Sequence, residues 1–315
     1  MRIVIALADD ALHRKTVRPD VDAEALIVRS AASQLVRVAD GNELVIVHAD
    51  GGQTTPTASP SGSDRDACES CSSELLDAET GMTNGDRLEL ELRNLLPRAR
   101  ACVTLRTMVE VDIADPAFTH PDKPIGAVLL GERALAVARA KHWRLAQDGI
   151  GYRRVVPSPR PMRLLQSEPL RRLIEQGAVV MCAVGGVPVA ADDGRLQRVE
   201  ALVDHYAGAA LVAEAIDADV YVIATDMAGV FLDWGTANSK LLRHGHPSAM
   251  SELVCSTGSM GPKLEAAARF AERTGRRAAI GALTDVARLV EGTVGTTISC
   301  ERADPRRLEG GAVAC

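Results

Sequence analysis

The sequence predicts an α/β fold, a three-layer α/β/α sandwich in which helices cover both faces of a mainly parallel sheet. Apolar runs of strand length recur along the chain: "RIVIAL", "ELVIVHA", "RACVTLRTMVEV", "GAVVMCAV", "ADVYVIATD" and "AAIGAL". Amphipathic stretches of helical period lie between them, among them "AEALIVRSAASQLVRVAD", "VEALVDHYAGAALVAEAI" and "PKLEAAARFAERTG". At 315 residues the chain is long enough to bury a large core under such a sheet, as one unit or as two lobes.

The first run, Ile3 to Leu7, is the length of one buried strand, and it leaves through Ala8, Asp9 and Asp10. Strands that hand a phosphate to a following helix usually end in glycine, so two carboxylates at this turn are unexpected. After the second run the chain enters 51–73, rich in Ser, Thr, Gly, Pro and Asp and without period, which predicts a mobile loop. Cys68 and Cys71 form a C-x-x-C there, but no second such pair follows to complete a metal site.

A second irregular region spans 112–161, with "DPAFTHPDKPIG" and "GYRRVVPSPRP" around a short helical piece. Its prolines predict a projection from the sheet, with the geometry of a lid. Further on, three turns follow strands: "AVGGVPV" with Gly185 and Gly186, "ATDMAGVF" with Thr225, Asp226 and Gly229, and "GSMGPK" with Met260, Gly261 and Lys263. Open α/β sheets bind ligands at the carboxyl ends of their strands, and glycines there permit close approach of backbone to ligand. Neither G-x-G-x-x-G nor G-x-x-x-x-G-K-[ST] occurs, which argues against a dinucleotide fingerprint and a P-loop.

Composition narrows the function further. A net charge of -6 and 3% aromatic residues argue against a nucleic-acid partner. No apolar run is long enough to span a bilayer, and "IVIAL" is too short for the core of a signal peptide, so a cytoplasmic chain without a membrane partner is expected. Seven scattered cysteines, mostly within apolar runs, predict reduced thiols. Of 36 basic residues only 15, 123, 141, 240 and 263 are lysines, so the position of each lysine is informative.

In order and in spacing, "DPAFTHPDKPIG", "YRRVVPSPRP", "VEALVD", "TDMAGVFLDWG", "GSMGPKLEAA" and "EGTVGTTIS" resemble the carbamate kinase branch of the amino acid kinase family over nearly the whole chain. The resemblance implies a sheet of about eight strands and a homodimer. It implies an N-terminal lobe at 1–165, carrying a projecting lid at about 112–161, for carbamate, and a C-terminal lobe at 166–315 for the nucleotide. The reaction implied is reversible phosphoryl transfer between ATP and carbamate, giving carbamoyl phosphate and ADP with Mg2+. Such chemistry asks a protein chiefly to position anions and neutralise charge.

Carried over by position, Lys123 is similar to the lid lysine and Lys263 to the lysine facing the phosphates, with Asp204 and His205 beside them. Thr225, Asp226, Gly229, Met260 and Gly261 fall at the nucleotide, with Gly185 and Gly186. Ala8, Asp9, Asp10, Asp50, Gly51 and Gly52 fall at the small substrate. The family pattern departs here in several places, among them a four-glycine turn reduced to Ala183-Val184-Gly185-Gly186 and a helix after Gln53 replaced by the polar loop. Ala8-Asp9-Asp10 stands for Gly-Gly-Asn, Asp50 for an Asn, and Asp204-His205-Tyr206 for Asp-Lys-Asp.

A carboxylate about 5 Å from a phosphoryl oxygen costs roughly 3 kcal/mol at an effective dielectric of about 20. Three readings follow. Asp9, Asp10 and Asp50 hold an additional magnesium ion; or the chain is a nucleotide-binding or regulatory protein that has lost catalysis; or it phosphorylates a different acceptor, one carrying positive charge.

Overall fold

The computed structural model describes residues 1–12, 21–48, 85–253 and 258–301. The polar stretch 51–73, with Cys68 and Cys71, lies outside them. In chain order the first elements are β1 (Arg2–Leu7), the single turn α1 (Asp9–Leu12), α2 (Val21–Ala39), β2 (Glu43–His48), α3 (described over 85–95) and β3 (Cys102–Val111). Then come β4 (Lys123–Leu129), α4 (Gly131–Ala140), β5 (Leu145–Asp148), β6 (Gly151–Val156), β7 (Pro161–Leu164), α5 (Ser167–Glu175), β8 (Val179–Asp192) and β9 (Arg195–Arg198). The remainder is α6 (His205–Ala215), β10 (Val220–Thr225), β11 (Phe231–Leu232), β12 (Lys240–Leu241), β13 (His244–Gly245), α7 (Pro247–Leu253), α8 (Gly261–Thr274), β14 (Arg277–Ala282), α9 (Val286–Glu291) and β15 (Thr296–Ile298).

The main sheet has the order β13-β15-β14-β10-β1-β2-β8-β3-β7, with β9 paired to β8. It holds ten strands, more than the eight expected, because short strands such as β9, β13 and β15 extend its margins. Pairing is parallel through the centre and antiparallel for β3–β7, β8–β9 and β14–β15.

Alternation along β1 divides the core. Ile3, Ile5 and Leu7 pack with residues of α2, α3 and α9 on one face, while Val4 and Ala6 pack with residues of α5, α6 and α8 on the other. A strand buried on both faces must read as a continuous apolar run, which is why "IVIAL" shows no polar alternation. Each fully buried branched residue contributes about 1.5–3 kcal/mol.

Region 112–161 is more ordered than its prolines suggest. It forms an antiparallel three-stranded sheet, β4-β6-β5, accompanied by α4. Asp115 closes its base: one carboxylate oxygen accepts from the Ala117 N–H at 2.8 Å and the other from the Arg160 N–H at 2.9 Å. Pro116, Pro121, Pro157 and Pro159 lie outside the three strands, and Pro124 is the second residue of β4, paired with Val155.

The helix expected over 199–216 begins only at His205. Asp204 supplies the cap, and the preceding segment is held as extended chain by the Leu202 N–H donating to the Pro157 carbonyl at 2.9 Å. The glycine pair at 185–186 also differs from expectation. The strand does not end there but runs through as β8, with a register irregularity opposite Arg106 to Met108 before pairing resumes at Val187. A glycine pair without side chains lets the ladder kink and continue.

No helix among the described residues is long and apolar enough to cross a membrane. Cys102, Cys182 and Cys300 are free thiols, and burial pushes Cys182 up to about 12 and Cys102 up to about 11, so neither buried thiol is poised to react.

Gly295, in the turn between α9 and β15, has φ of 74°, and a Cβ there would lie 2.6 Å from the Ile280 carbonyl oxygen and closer still to Leu289 Cδ2. Gly295→Ala combines left-handed strain with overpacking and should lower stability by about 3 kcal/mol. Urea unfolding of the variant beside the parent chain checks this; a midpoint within error of the parent would contradict it.

Candidate functional site

The site is built where the central strands end. Leu7 pairs with His48 on one side and Ala224 on the other, and His48 with Ala183, so β1, β2, β8 and β10 reach one line in register. The Ala8 N–H continues the ladder by donating to the Ala224 carbonyl at 2.9 Å. The chain leaves β1 for α2 on one face and leaves β10 for α8 on the other. A crevice opens beyond strand ends where the connections diverge in this way, which is the switch point at which open α/β sheets receive ligands.

The first turn of α6 closes that crevice. The Asp204 Oδ1 accepts from the Tyr206 N–H at 3.0 Å and the Ala207 N–H at 3.1 Å, satisfying helix donors that would otherwise lack partners. Its Oδ2 accepts from the Lys123 ammonium at 2.5 Å, joining the first residue of β4 to the main body. Burial works to raise the Asp204 carboxyl, but the Lys123 charge and hydrogen bond and the Ala207 N–H outweigh it, and the group is held below the usual carboxylate range.

The His205 Nε2 lies 3.0 Å from the Leu7 carbonyl oxygen. A carbonyl only accepts, so this nitrogen carries the proton and the ring is fixed against the end of β1. Lys263, in the first turn of α8 and only 4% exposed, places its ammonium 5.1 Å from the centre of the Tyr206 ring. The Tyr221 hydroxyl donates to the Tyr206 carbonyl at 2.9 Å; burial first, then the Asp204 charge, pushes this phenol well above its ordinary value and keeps it a donor.

The four residues singled out for catalysis, Lys123, Asp204, His205 and Lys263, are thus brought into one network from β4, α6 and α8. Lys123 and Lys263 bring two ammonium groups to this edge, the groups that a phosphoryl-binding site requires. The network depends on Tyr206 and Tyr221 as well. Only three tyrosines occur in the chain, and one of them follows Asp204-His205, but its contact with Lys263 spans two helices distant in sequence.

The remaining candidates are distributed around the same edge. Thr225 ends β10, is buried and donates from its hydroxyl to Asp226 Oδ1 at 3.2 Å, while Asp226 is exposed. A Cβ on Gly229 would meet Leu241 Cδ1 at 2.8 Å and Thr296 Oγ1 at 2.9 Å, so packing of this loop already demands a glycine. The Thr296 hydroxyl accepts from the Val230 N–H at 2.8 Å and donates to the Leu242 carbonyl at 2.5 Å, fixing the loop from below. Met260 is the residue preceding α8, and Gly261 opens the helix, buried against the core.

Ala8 is fully buried, and Asp9 and Asp10 begin the turn α1. Asp50, Gly51 and Gly52 lie outside the described residues. Among the described residues no group of three His, Cys, Asp or Glu side chains comes together as a metal cluster.

A mixed, mostly parallel sheet with paired ammonium groups at its strand ends defines an α/β phosphotransferase architecture that uses neither a P-loop nor a dinucleotide fingerprint. The chain belongs to the amino acid kinase family, which it matches over residues 1–282. It is 44% identical to the carbamate kinase of Haemophilus influenzae, over 95% of this chain and 97% of that one, and 39% identical to the carbamate kinase of Rhizobium meliloti, over 96% and 95%. Carbamate kinase from Giardia lamblia bound to AMP-PNP superposes with a TM-score of 0.79 at 27% identity, covering 95% of this chain and 98% of that one. A crystal structure from Aeropyrum pernix K1 superposes with a TM-score of 0.80 at 31% identity, covering 96% and 100%.

Asp204→Asn keeps an acceptor for the α6 cap and removes the charge that holds Lys123, whereas Asp204→Ala removes both. Denaturation at neutral pH should place the Asn variant between the parent and the Ala variant, the two variants differing by about 1 kcal/mol. Because the native carboxyl is depressed, the advantage of the parent over Asn is full above the ordinary carboxylate range and is lost as pH falls through the lowered native value. A gap that does not change with pH would show that the ion pair is not its cause.

Proposed function

We propose that the chain is an ATP-dependent carbamate kinase, catalysing reversible phosphoryl transfer between ATP and carbamate to give carbamoyl phosphate and ADP. Identity of 44% with a carbamate kinase over 95% of the chain supports this, together with the meeting of Lys123, Asp204, His205 and Lys263 at the strand ends. A carbamate oxygen forms a bond to the γ-phosphorus as the bond from that phosphorus to the β–γ bridging oxygen breaks, and ADP leaves with the electron pair. Little is asked of the protein beyond alignment and charge.

In this reading Lys263 faces the transferred phosphoryl group from α8, and Lys123, held by Asp204, brings a second positive charge from β4. His205 donates to the Leu7 carbonyl and holds the exit of β1, from which Ala8, Asp9 and Asp10 lead toward the small substrate. Thr225, Asp226, Gly229, Met260 and Gly261, with Gly185 and Gly186, border the nucleotide. Residues 1–165 then serve mainly the acceptor and 166–315 mainly ATP.

Asp226 is the carboxylate exposed at the end of β10, and a single carboxylate suits a magnesium ion that takes most of its ligands from phosphate and water. Bound in that way, Mg2+ neutralises charge on the nucleotide. The exposed Leu90 and Leu95 of α3 fit a chain that works as a homodimer.

Formation of ATP from ADP and carbamoyl phosphate with Mg2+ tests the proposal. The parent chain should turn over, and Lys263→Ala should lose at least about a hundredfold in kcat, the usual effect of removing one charge-stabilising group. A folded parent that binds ADP but forms no ATP would refute the activity and leave a nucleotide-binding protein or a kinase with another acceptor. Activity undiminished in Lys263→Ala would refute the role of that lysine.

A further inference from the structure

We propose that the Tyr206 ring is a positioning group for Lys263, directing its ammonium toward the transferred phosphoryl by its π face without neutralising it. The inference rests on the carbamate kinase reading given above. An ammonium as buried as that of Lys263 requires electrostatic support, and the ring centre at 5.1 Å is within the range over which an aromatic face attracts a cation.

The ring is itself held in place. The Tyr206 N–H is bound to Asp204 Oδ1 at 3.0 Å, its carbonyl receives the Tyr221 hydroxyl at 2.9 Å, and His205 packs edge-on with ring centres 5.0 Å apart and planes at 66°. Tyr206 stands in the first turn of α6 and Lys263 in the first turn of α8, two helices that pack directly on each other. The two side chains therefore meet between two rigid elements, the arrangement that fixes a functional group most accurately.

The chemical consequence lies in what the ring does not do. A carboxylate in its place would form a salt bridge with Lys263 and cancel much of the field it projects. An aromatic quadrupole attracts the ammonium and adds no opposing charge of its own. Lys263 has further interactions, so the part assigned to Tyr206 is direction rather than sole support. Misdirected charge is felt most when charge develops in the transition state, so the loss should fall on kcat and spare KM.

The test compares Tyr206→Phe and Tyr206→Leu with the parent in the ATP-forming reaction, measuring kcat and both KM values on full-length protein. Tyr206→Leu should lower kcat about ten- to thirtyfold with each KM within about threefold, and Tyr206→Phe, which keeps the ring, should restore most of the turnover. A Leu variant within about threefold of the parent would overturn the proposal, as would a Phe variant as impaired as the Leu variant, which would assign the effect to the hydroxyl.

Should the Leu variant not fold, difluorotyrosine replaces tyrosine throughout the parent and throughout Tyr206→Phe. Weakening the ring face should then slow the parent alone, and equal slowing of both would overturn the proposal. An inactive parent would overturn the carbamate kinase reading and this one with it, an outcome read before any Tyr206 variant is made.

Discussion

The carboxylate of Asp204 is the constraint on which the rest of the site depends. With one oxygen it ends the irregular segment before α6 and starts the helix; with the other it holds the ammonium of a residue 81 positions away. Because the helix begins where it does, His205 falls against the end of β1 and Tyr206 against α8. The same carboxylate anchors β4, so the separate three-stranded sheet and the strand ends are referred to a single fixed point. An acid so committed is expensive to desolvate, and the helix N–H groups and Lys123 together make its charged form the stable one.

A sheet buried on both faces gives that point its rigidity. The helices on the two sides pack against alternate residues of the same strands, and the site forms where the connections from β1 and β10 turn to opposite faces. Placing ammonium groups at such a crevice gives a positive field in a wall of low dielectric, where a phosphate is attracted more strongly than it would be at an exposed surface. Membership of the amino acid kinase family agrees with this economy: the architecture supplies the crevice and a few side chains supply the charge.

Much of this is legible in the sequence, because the apolar runs of β1, β2 and β10 leave no alternative to strands buried on both faces. The scarcity of lysine makes positions 123 and 263 conspicuous in the sequence alone, and both lie in the network. Other features are hidden for physical reasons. Period alone places the start of α6 too early, because apolar residues continue upstream of Asp204 and a cap has no period. The ordered strands of 112–161 are masked by prolines that lie mostly outside them, with Pro124 near the start of β4 the exception. The glycine pair at 185–186 reads as a strand end because nothing local distinguishes a kink within a ladder from its termination. The meeting of Tyr206 with Lys263 depends on how α6 and α8 pack, which no local pattern encodes.

The position of β8 bears on how the chain acquires its shape during synthesis. It lies between β2 and β3, both of which leave the ribosome earlier. Until residue 192 has been made, those two strands have no partner between them and present unsatisfied edges to the solution, the kind of edge that recruits strands from other chains. Native pairing across this part of the sheet therefore waits on a segment from beyond the midpoint of the chain.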